Sequence, residues 1–158
     1  VLSNGFSLVR KVLNVEHADL TTPMEELEGK SLGETLLTPT RIYVKTIQCL
    51  LNNSIHIKAI SHITGGGLYE NVPRMMKQGL TAQIETASFP VPPIFTLIAQ
   101  KGNIPMRDMY NTFNMGVGVI LAIPKEEAGH AKDILCRSGE RAYIIGSVVN
   151  GDAGVELV

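Results

Sequence analysis

The sequence predicts an α+β fold with α/β layering: a mixed β-sheet covered by helices. Three observations predict it. Helical and strand patterns alternate along the chain without a strict βαβ repeat. Ile55, Ile57, Ala59 and Ile63 interleave with His56, Lys58, Ile60 and His62, the period-two pattern of a half-buried strand. Two strongly apolar strand patterns arrive late, from Met115 to Ile123 and from Ala142 to Val149. With 158 residues, 44% of them hydrophobic and 18% charged, residues 1–158 suit a single domain with an ordinary core.

Taken in order, Phe6, Val9, Val12 and Leu13 share one helical face, and Ser3 or Asn4 is placed to cap it. Residues 16–38, with Pro23, Gly29 and Gly33 among mixed charges, read as a long surface connection. Thr38-Pro39 has the form of an N-cap with Pro at the first helical position. Tyr43, Ile47, Leu50 and Leu51 would form the buried stripe of that helix, and Asn52-Asn53 its end. After the strand at 55–63, Leu68, Val72, Met75 and Met76 have helical spacing. Pro73 cannot donate within that helix and disfavours αR at Val72, so one turn over 68–71 and a restart at Pro73 are expected.

Gln83–Thr86 can form a short strand. Pro92-Pro93 opens a helix carrying Ile94, Phe95, Leu97 and Ile98, and Gly102 ends it. Pro105 opens another, with Met106, Met109, Tyr110 and Phe113 on one face. From Met115 to Ile123 both faces are apolar or small, the mark of a central strand. Pro124 starts a helix with Glu126 and Glu127 early and Lys132 and Arg137 late, charges that complement the macrodipole, and Gly139 follows its end. Residues 142–149 read as a fully apolar strand and Val155–Val158 as an edge strand.

Composition excludes several classes. A net charge of −1 supplies no basic field for nucleic acid or anionic lipid, and no Lys/Arg run is interleaved with aromatics. Cys49 and Cys136 are far apart and outside any zinc-type spacing, so no metal site is expected and a reduced, cytoplasmic chain is favoured. No apolar run approaches the ~18 residues of a membrane span, and no signal peptide is recognisable.

The richest stretch for chemistry is His62-Ile63-Thr64-Gly65-Gly66-Gly67-Leu68-Tyr69-Glu70-Asn71-Val72-Pro73-Arg74. Three adjacent residues without Cβ permit a turn at positive φ and let main-chain N–H groups converge on an oxyanion such as a phosphate. A tight strand-to-helix turn without a ligand explains them equally well. The triplet lacks the Lys-Ser/Thr of a P-loop and the spacing of a dinucleotide fingerprint. His62 could donate to a phosphate or move a proton, or bond a neighbouring carbonyl as a structural histidine. Ser3 and Asn4 are either a ligand-facing loop or a helix cap. Asn114, Gly116 and Gly118, at the start of an interior strand, mark close approach by a ligand or another backbone, or simple packing against a helix, and Asn114 could hydrogen-bond substrate. Arg41 and Arg74 follow helix-start signals, where a cation is unfavourable, which hints at an anionic partner.

Four segments then resemble one family. Ser3-Asn4-Gly5-Phe6-Ser7-Leu8-Val9-Arg10-Lys11, Leu37-Thr38-Pro39-Thr40-Arg41-Ile42-Tyr43, His62 to Arg74, and Thr112-Phe113-Asn114-Met115-Gly116-Val117-Gly118 resemble the carboxyl-terminal half of phosphoribosylformylglycinamidine cyclo-ligases, the aminoimidazole ribonucleotide synthetases. The matches keep the family's order from Ser3 to about Val149. One departure is Leu2, where the family usually has His before Ser-Asn-Gly.

The resemblance implies an ATP-dependent ligase of purine biosynthesis that closes the imidazole ring of formylglycinamidine ribonucleotide. It implies that ATP and Mg2+ belong mostly to an amino-terminal domain absent from this chain, that the full-length enzyme is a homodimer, and that this chain alone is inactive. On it, Thr64, Gly65, Gly66, Gly67, Asn4, Ser3, Asn114 and Gly116 become the candidate substrate- and phosphate-binding residues, with His62 as a catalytic candidate. Two other readings remain: a non-catalytic phosphate- or nucleotide-binding or assembly module, and a kinase-like relative of the selenophosphate synthetase or thiamine-monophosphate kinase type. The same architecture recurs, by resemblance, in a hydrogenase maturation factor.

Overall fold

The computed structural model describes residues 4–158. The chain divides into two compact units. The first comprises the described residues of Val1–Thr40 together with Ile63–Glu70 and Pro90–Gly118, and the second comprises Arg41–His62, Asn71–Phe89 and Val119–Val158.

The first unit is helical. Helix α1 (Phe6–Val12) starts after Gly5, which stands at φ 82° and offers no side-chain cap. Asn4 therefore does not cap this helix, and Ser3 lies outside the described residues. Residues 16–38 hold more structure than a connection. A 3₁₀ turn spans Glu25–Leu27, and α2 spans Leu32–Leu36. Ser31 and Glu34 close α2 as a capping box, each side chain bonding the other's backbone N–H (2.9 and 3.1 Å). Asp19 gathers the chain ahead of it, accepting from the N–H groups and hydroxyls of Thr21 and Thr22, and these bonds hold its carboxyl well below the usual carboxylate range.

Helix α4 (Gly67–Asn71) has its first four residues in this unit. Helices α5 (Pro93–Gly102) and α6 (Met106–Thr112) complete it. Helix α5 is the axis of the unit. It buries Ile94, Phe95, Leu97 and Ile98, and α1, α6 and the Glu25–Leu27 turn pack on it. Phe95 meets Phe113 with ring centroids 5.5 Å apart and planes tilted at 49°. Helix α6 buries Met109 and Tyr110. Met106, expected on the same apolar face, is 51% exposed.

In the second unit, α3 runs from Val44 to Asn52, and no regular element covers Pro39–Tyr43. The Thr38-Pro39 start is displaced by five residues. Thr38 bonds back into the end of α2, its hydroxyl donating to the Glu34 carbonyl. The stripe of α3 narrows accordingly. Leu50 is fully buried, whereas Leu51 is 55% exposed. Strand β1 (Ala59–His62) pairs antiparallel with β3 (Val119–Ala122), Ile60 opposite Leu121. Helix α7 (Ala128–Arg137) follows a 3₁₀ turn at Lys125–Glu127. It ends in a Schellman closure, Glu140 N–H to the Leu135 carbonyl, with Gly139 at φ 86°. Leu50 and Ile55 pack with Ala131 and Ile134 of α7, and Ile57, Leu121 and Ile123 join them, so α3 and α7 cover the β1–β3 ribbon.

A second sheet in this unit has the order β4-β2-β5. Strand β2 (Leu80–Ile84) is central, antiparallel to β4 (Gly146–Asn150) and parallel to β5 (Val155–Leu157), so the sheet is mixed. Two strand expectations are corrected. The pattern over 142–149 shrinks to an edge strand in which Val148 is exposed, as are Tyr143 and Ile144 before it. The pattern over 115–123 yields only four strand residues, because Met115 and Gly116 both take positive φ (50° and 97°) and turn the chain. The Gln83–Thr86 strand lies instead at 80–84, and β5 stands at the sheet edge as expected. Helix α4 stops at Asn71 and a 3₁₀ turn restarts at Pro73, also as expected, although Val72 keeps αR dihedrals before the proline.

Candidate functional site

The glycine triplet turns because each of its residues meets a neighbour that a side chain would strike. A Cβ on Gly65 would run into the side-chain amide of Asn4. Gly66 stands at φ 87°, and a Cβ there would meet Glu70, whose own Cβ would be 2.6 Å away. Gly67 stands at φ 55°, where a Cβ would strike the Tyr110 carbonyl oxygen and approach that of Phe113 to 2.8 Å. The turn is closed by the Gly67 N–H donating to the Thr64 carbonyl (3.1 Å), and Glu70 N–H donates to the Gly66 carbonyl (3.0 Å). Gly67 is buried while Thr64, Gly65 and Gly66 are half-buried. The cradle is thus narrower than three converging amides. The Gly67 amide is already used, and Gly66 carries the N–H with no protein acceptor among the described residues.

Around this turn the first unit gathers most of the candidates. Asn4 comes from the start of α1, Thr64 to Gly67 from the turn itself, and the 110–113 carbonyls from the end of α6. Asn114 and Gly116 lie in the turn that follows α6. Its backbone closes with Val117 N–H on the Asn114 carbonyl (2.9 Å), and Asn114 Oδ1 accepts from the Gly116 N–H (3.2 Å). A Cβ on Gly116 would lie 2.5 Å from Pro92 Cδ, so this glycine admits another part of the chain. Met115 between them is fully buried in the left-handed region, a strained conformation for a side chain of that size.

His62 falls in the second unit. It is exposed at the end of β1, its ring edge-on to Tyr43 at 6.0 Å. The two arginines singled out in the sequence have protein partners. Arg41 pairs with Glu140 (2.7 Å), which also accepts from the Thr46 hydroxyl, and Arg74 donates to Asn71 Oδ1 (3.4 Å). The hint of an anionic ligand at Arg41 is therefore corrected: a glutamate supplies the charge. His56, exposed ahead of β1, meets Glu127 through its ring Nδ1 (2.6 Å) and its backbone N–H (2.8 Å), bonds that lower the Glu127 carboxyl.

Four residues by the glycine turn lie outside the sequence candidates: Glu70, Tyr69, Arg107 and Tyr110. Glu70 leans against Gly66. Tyr69 carries the Arg107 guanidinium over its ring, 5.0 Å from the centroid, a contact worth about 0.5–1 kcal/mol at an exposed site. Burial pushes the Tyr110 phenol up, with Tyr69 adding to the effect. Tyr69 and Arg107 are 38 positions apart on separate helices (107 − 69), so no local period could pair them. Among the described residues no three His, Cys, Asp or Glu side chains gather as a metal site, and no helix is long and apolar enough to cross a membrane. Two open hollows, of about 440 and 510 Å³, lie in the second unit along Pro73–Leu80 and along α7.

The family model for the AIR synthase related protein, C-terminal domain, matches residues 1–158. The chain belongs to this family. Several curated relatives carry the name phosphoribosylformylglycinamidine cyclo-ligase. The protein of Lachnoclostridium phytofermentans is 48% identical over 155 residues, covering 98% of this chain and 45% of the relative. That of Lactobacillus delbrueckii subsp. bulgaricus is 50% identical over 158 residues, covering 99% and 45%. The chain therefore spans a little under half the length of the curated relatives it matches. Among solved structures, E. coli HypE, a hydrogenase maturation protein, superposes with a TM-score of 0.58 at 24% identity, covering 73% of this chain and 35% of that one. This likeness shows the family's fold.

Proposed function

We propose that this chain is the substrate-side, carboxyl-terminal half of an ATP-dependent ligase that closes the imidazole ring of formylglycinamidine ribonucleotide. The relatives' shared name supports the reaction, and the coverage of under half their length supports a further domain in the working enzyme. In the reaction ATP transfers its terminal phosphoryl group to the formamide oxygen. The amidine nitrogen then attacks that carbon, the C–O bond breaks, and phosphate leaves as the ring nitrogen loses a proton. A site for this chemistry must hold the nucleotide in place and keep water from the activated carbon. Because the chain spans under half of its relatives' length, ATP and Mg2+ are assigned mostly to the remainder of the enzyme. The chain alone should not turn over, and the full-length protein should act as a homodimer.

The observation that carries the reading is the convergence of Asn4, Thr64–Gly67 and the end of α6 in one unit, with the Gly66 N–H directed to no protein acceptor among the described residues. Gly66→Ala in the full-length protein tests it. The added methyl would press on Glu70, its Cβ included (2.6 Å from the new Cβ), on a left-handed backbone that itself costs about 1–2 kcal/mol, so the variant's urea midpoint is measured beside its binding. The expected result is an enzyme that still folds and whose Kd for formylglycinamidine ribonucleotide rises by about tenfold, because the methyl displaces the ligand from the Gly66 N–H that alanine retains. Unchanged affinity and turnover would count against the glycine turn as the substrate site.

A further inference from the structure

The geometry of the turn raises a problem of charge. The Gly67 N–H is spent on Thr64, and the Glu70 carboxylate rests beside Gly66. A phosphate dianion placed there would meet one open main-chain donor, the Gly66 N–H, with the Glu70 side chain in the same space, and a cation close by would strengthen its hold. The first unit provides a cation in the required neighbourhood. Arg107 is one helical turn before Tyr110, the residue whose carbonyl abuts Gly67, and its guanidinium lies over Tyr69, two residues past Gly67. Arg107 is exposed, and no carboxylate among the described residues pairs with it.

A guanidinium stacked on an aromatic ring uses its face and leaves its in-plane N–H donors available at the edge, the fork that matches a phosphate. The ring also limits the rotamers of a long side chain, so less entropy is lost when an anion is bound.

We propose that Arg107, positioned by Tyr69, receives the phosphate of the ribonucleotide substrate, while the glycine turn holds the uncharged portion of the molecule beside it. This assignment rests on the function proposed above. It replaces the simple amide cradle with a bipartite site, the anion on α6 and the remainder of the ligand at residues 64–67.

The test compares formylglycinamidine ribonucleotide with its dephosphorylated riboside by calorimetry and steady-state kinetics, in the full-length protein. Arg107→Ala should weaken ribonucleotide binding by about 10- to 100-fold and change riboside binding by less than about twofold, because only the former carries the anion. The loss should fall on KM, with kcat at saturation within about threefold of the parent. Arg107→Lys should recover some of the loss, keeping the charge without the fork. Tyr69→Phe should bind as the parent does, and Tyr69→Leu should lose affinity for the ribonucleotide alone. Equal ribonucleotide affinity in Arg107→Ala and parent overturns the proposal, as does an equal loss for ribonucleotide and riboside. These outcomes leave the glycine turn intact as the substrate site if Gly66→Ala still weakens both ligands. Failure of the parent protein to bind either ligand removes the functional reading and this assignment with it.

Discussion

Gly67→Ala should destabilise the first unit by at least about 3 kcal/mol, an effect large enough to be read as loss of soluble folded protein. Two independent causes add. The residue holds φ at 55°, where an L side chain is strained, and the new methyl would collide with the main-chain carbonyls of Tyr110 and Phe113. A carbonyl at the end of a packed helix cannot swing aside as a side chain can. Relief requires α4 and α6 to separate, which opens the burial of Leu68, Met109 and Tyr110. Urea denaturation of Gly29→Ala and Gly67→Ala side by side checks this, since Gly29 shares the positive φ (80°) but a Cβ there would meet nothing within 4 Å. The first should retain most of the parent's stability and the second should not. Similar midpoints for the two would mean that the close approach of α6 to the turn is wrong.

The second large effect concerns Phe95. Its ring is almost wholly buried, and it supports Phe113, which in turn occupies the space beside Gly5. Phe95→Ala should cost about 3–5 kcal/mol through lost apolar burial and the cavity left behind, with a share of about 0.5–1.5 kcal/mol from the aromatic pair itself. Phe113 precedes the Asn114–Val117 turn, so the substitution should also loosen that turn. Chemical denaturation measures the first consequence, and amide hydrogen exchange at Gly116 and Val117 the second. A variant with parental stability would show that α5 is not the axis of the unit.

How much of this was legible in the sequence varies with the kind of information each feature carries. The break at Pro73 was legible, because a missing N–H acts locally. So was the start of α5 at Pro93. The capping box of α2 was written plainly as Ser31-Leu32-Gly33-Glu34, yet the surrounding glycines and charges masked it. The strand pattern from Met115 to Ile123 failed for a different reason. Alternating apolar residues satisfy a strand template, but the backbone signs at 115 and 116 depend on packing against Pro92 and on the Asn114 side chain. At β4 the apolar letters were read as burial, whereas hydrophobicity reports what a segment can bury and leaves open what covers it.

The candidate site shows the same division. Asn4 and Gly65–Gly67 were legible as small or polar residues in unusual runs. That Asn4 serves Gly65 rather than the start of α1 was not, because Gly5 takes the cap position instead. Tyr69 and Glu70 stand inside the His62–Arg74 stretch with nothing to single them out within it, and Arg107 carries no local signal. Their significance lies in what the fold brings beside the turn.

The central claim is that the glycine turn of the first unit is the substrate site, and a crystal structure of the full-length protein with formylglycinamidine ribonucleotide bound tests it most directly. The account predicts ligand atoms within hydrogen-bond distance of the Gly66 N–H and the Asn4 side chain. A ligand seated elsewhere, with the Gly66 N–H facing only water, would contradict it.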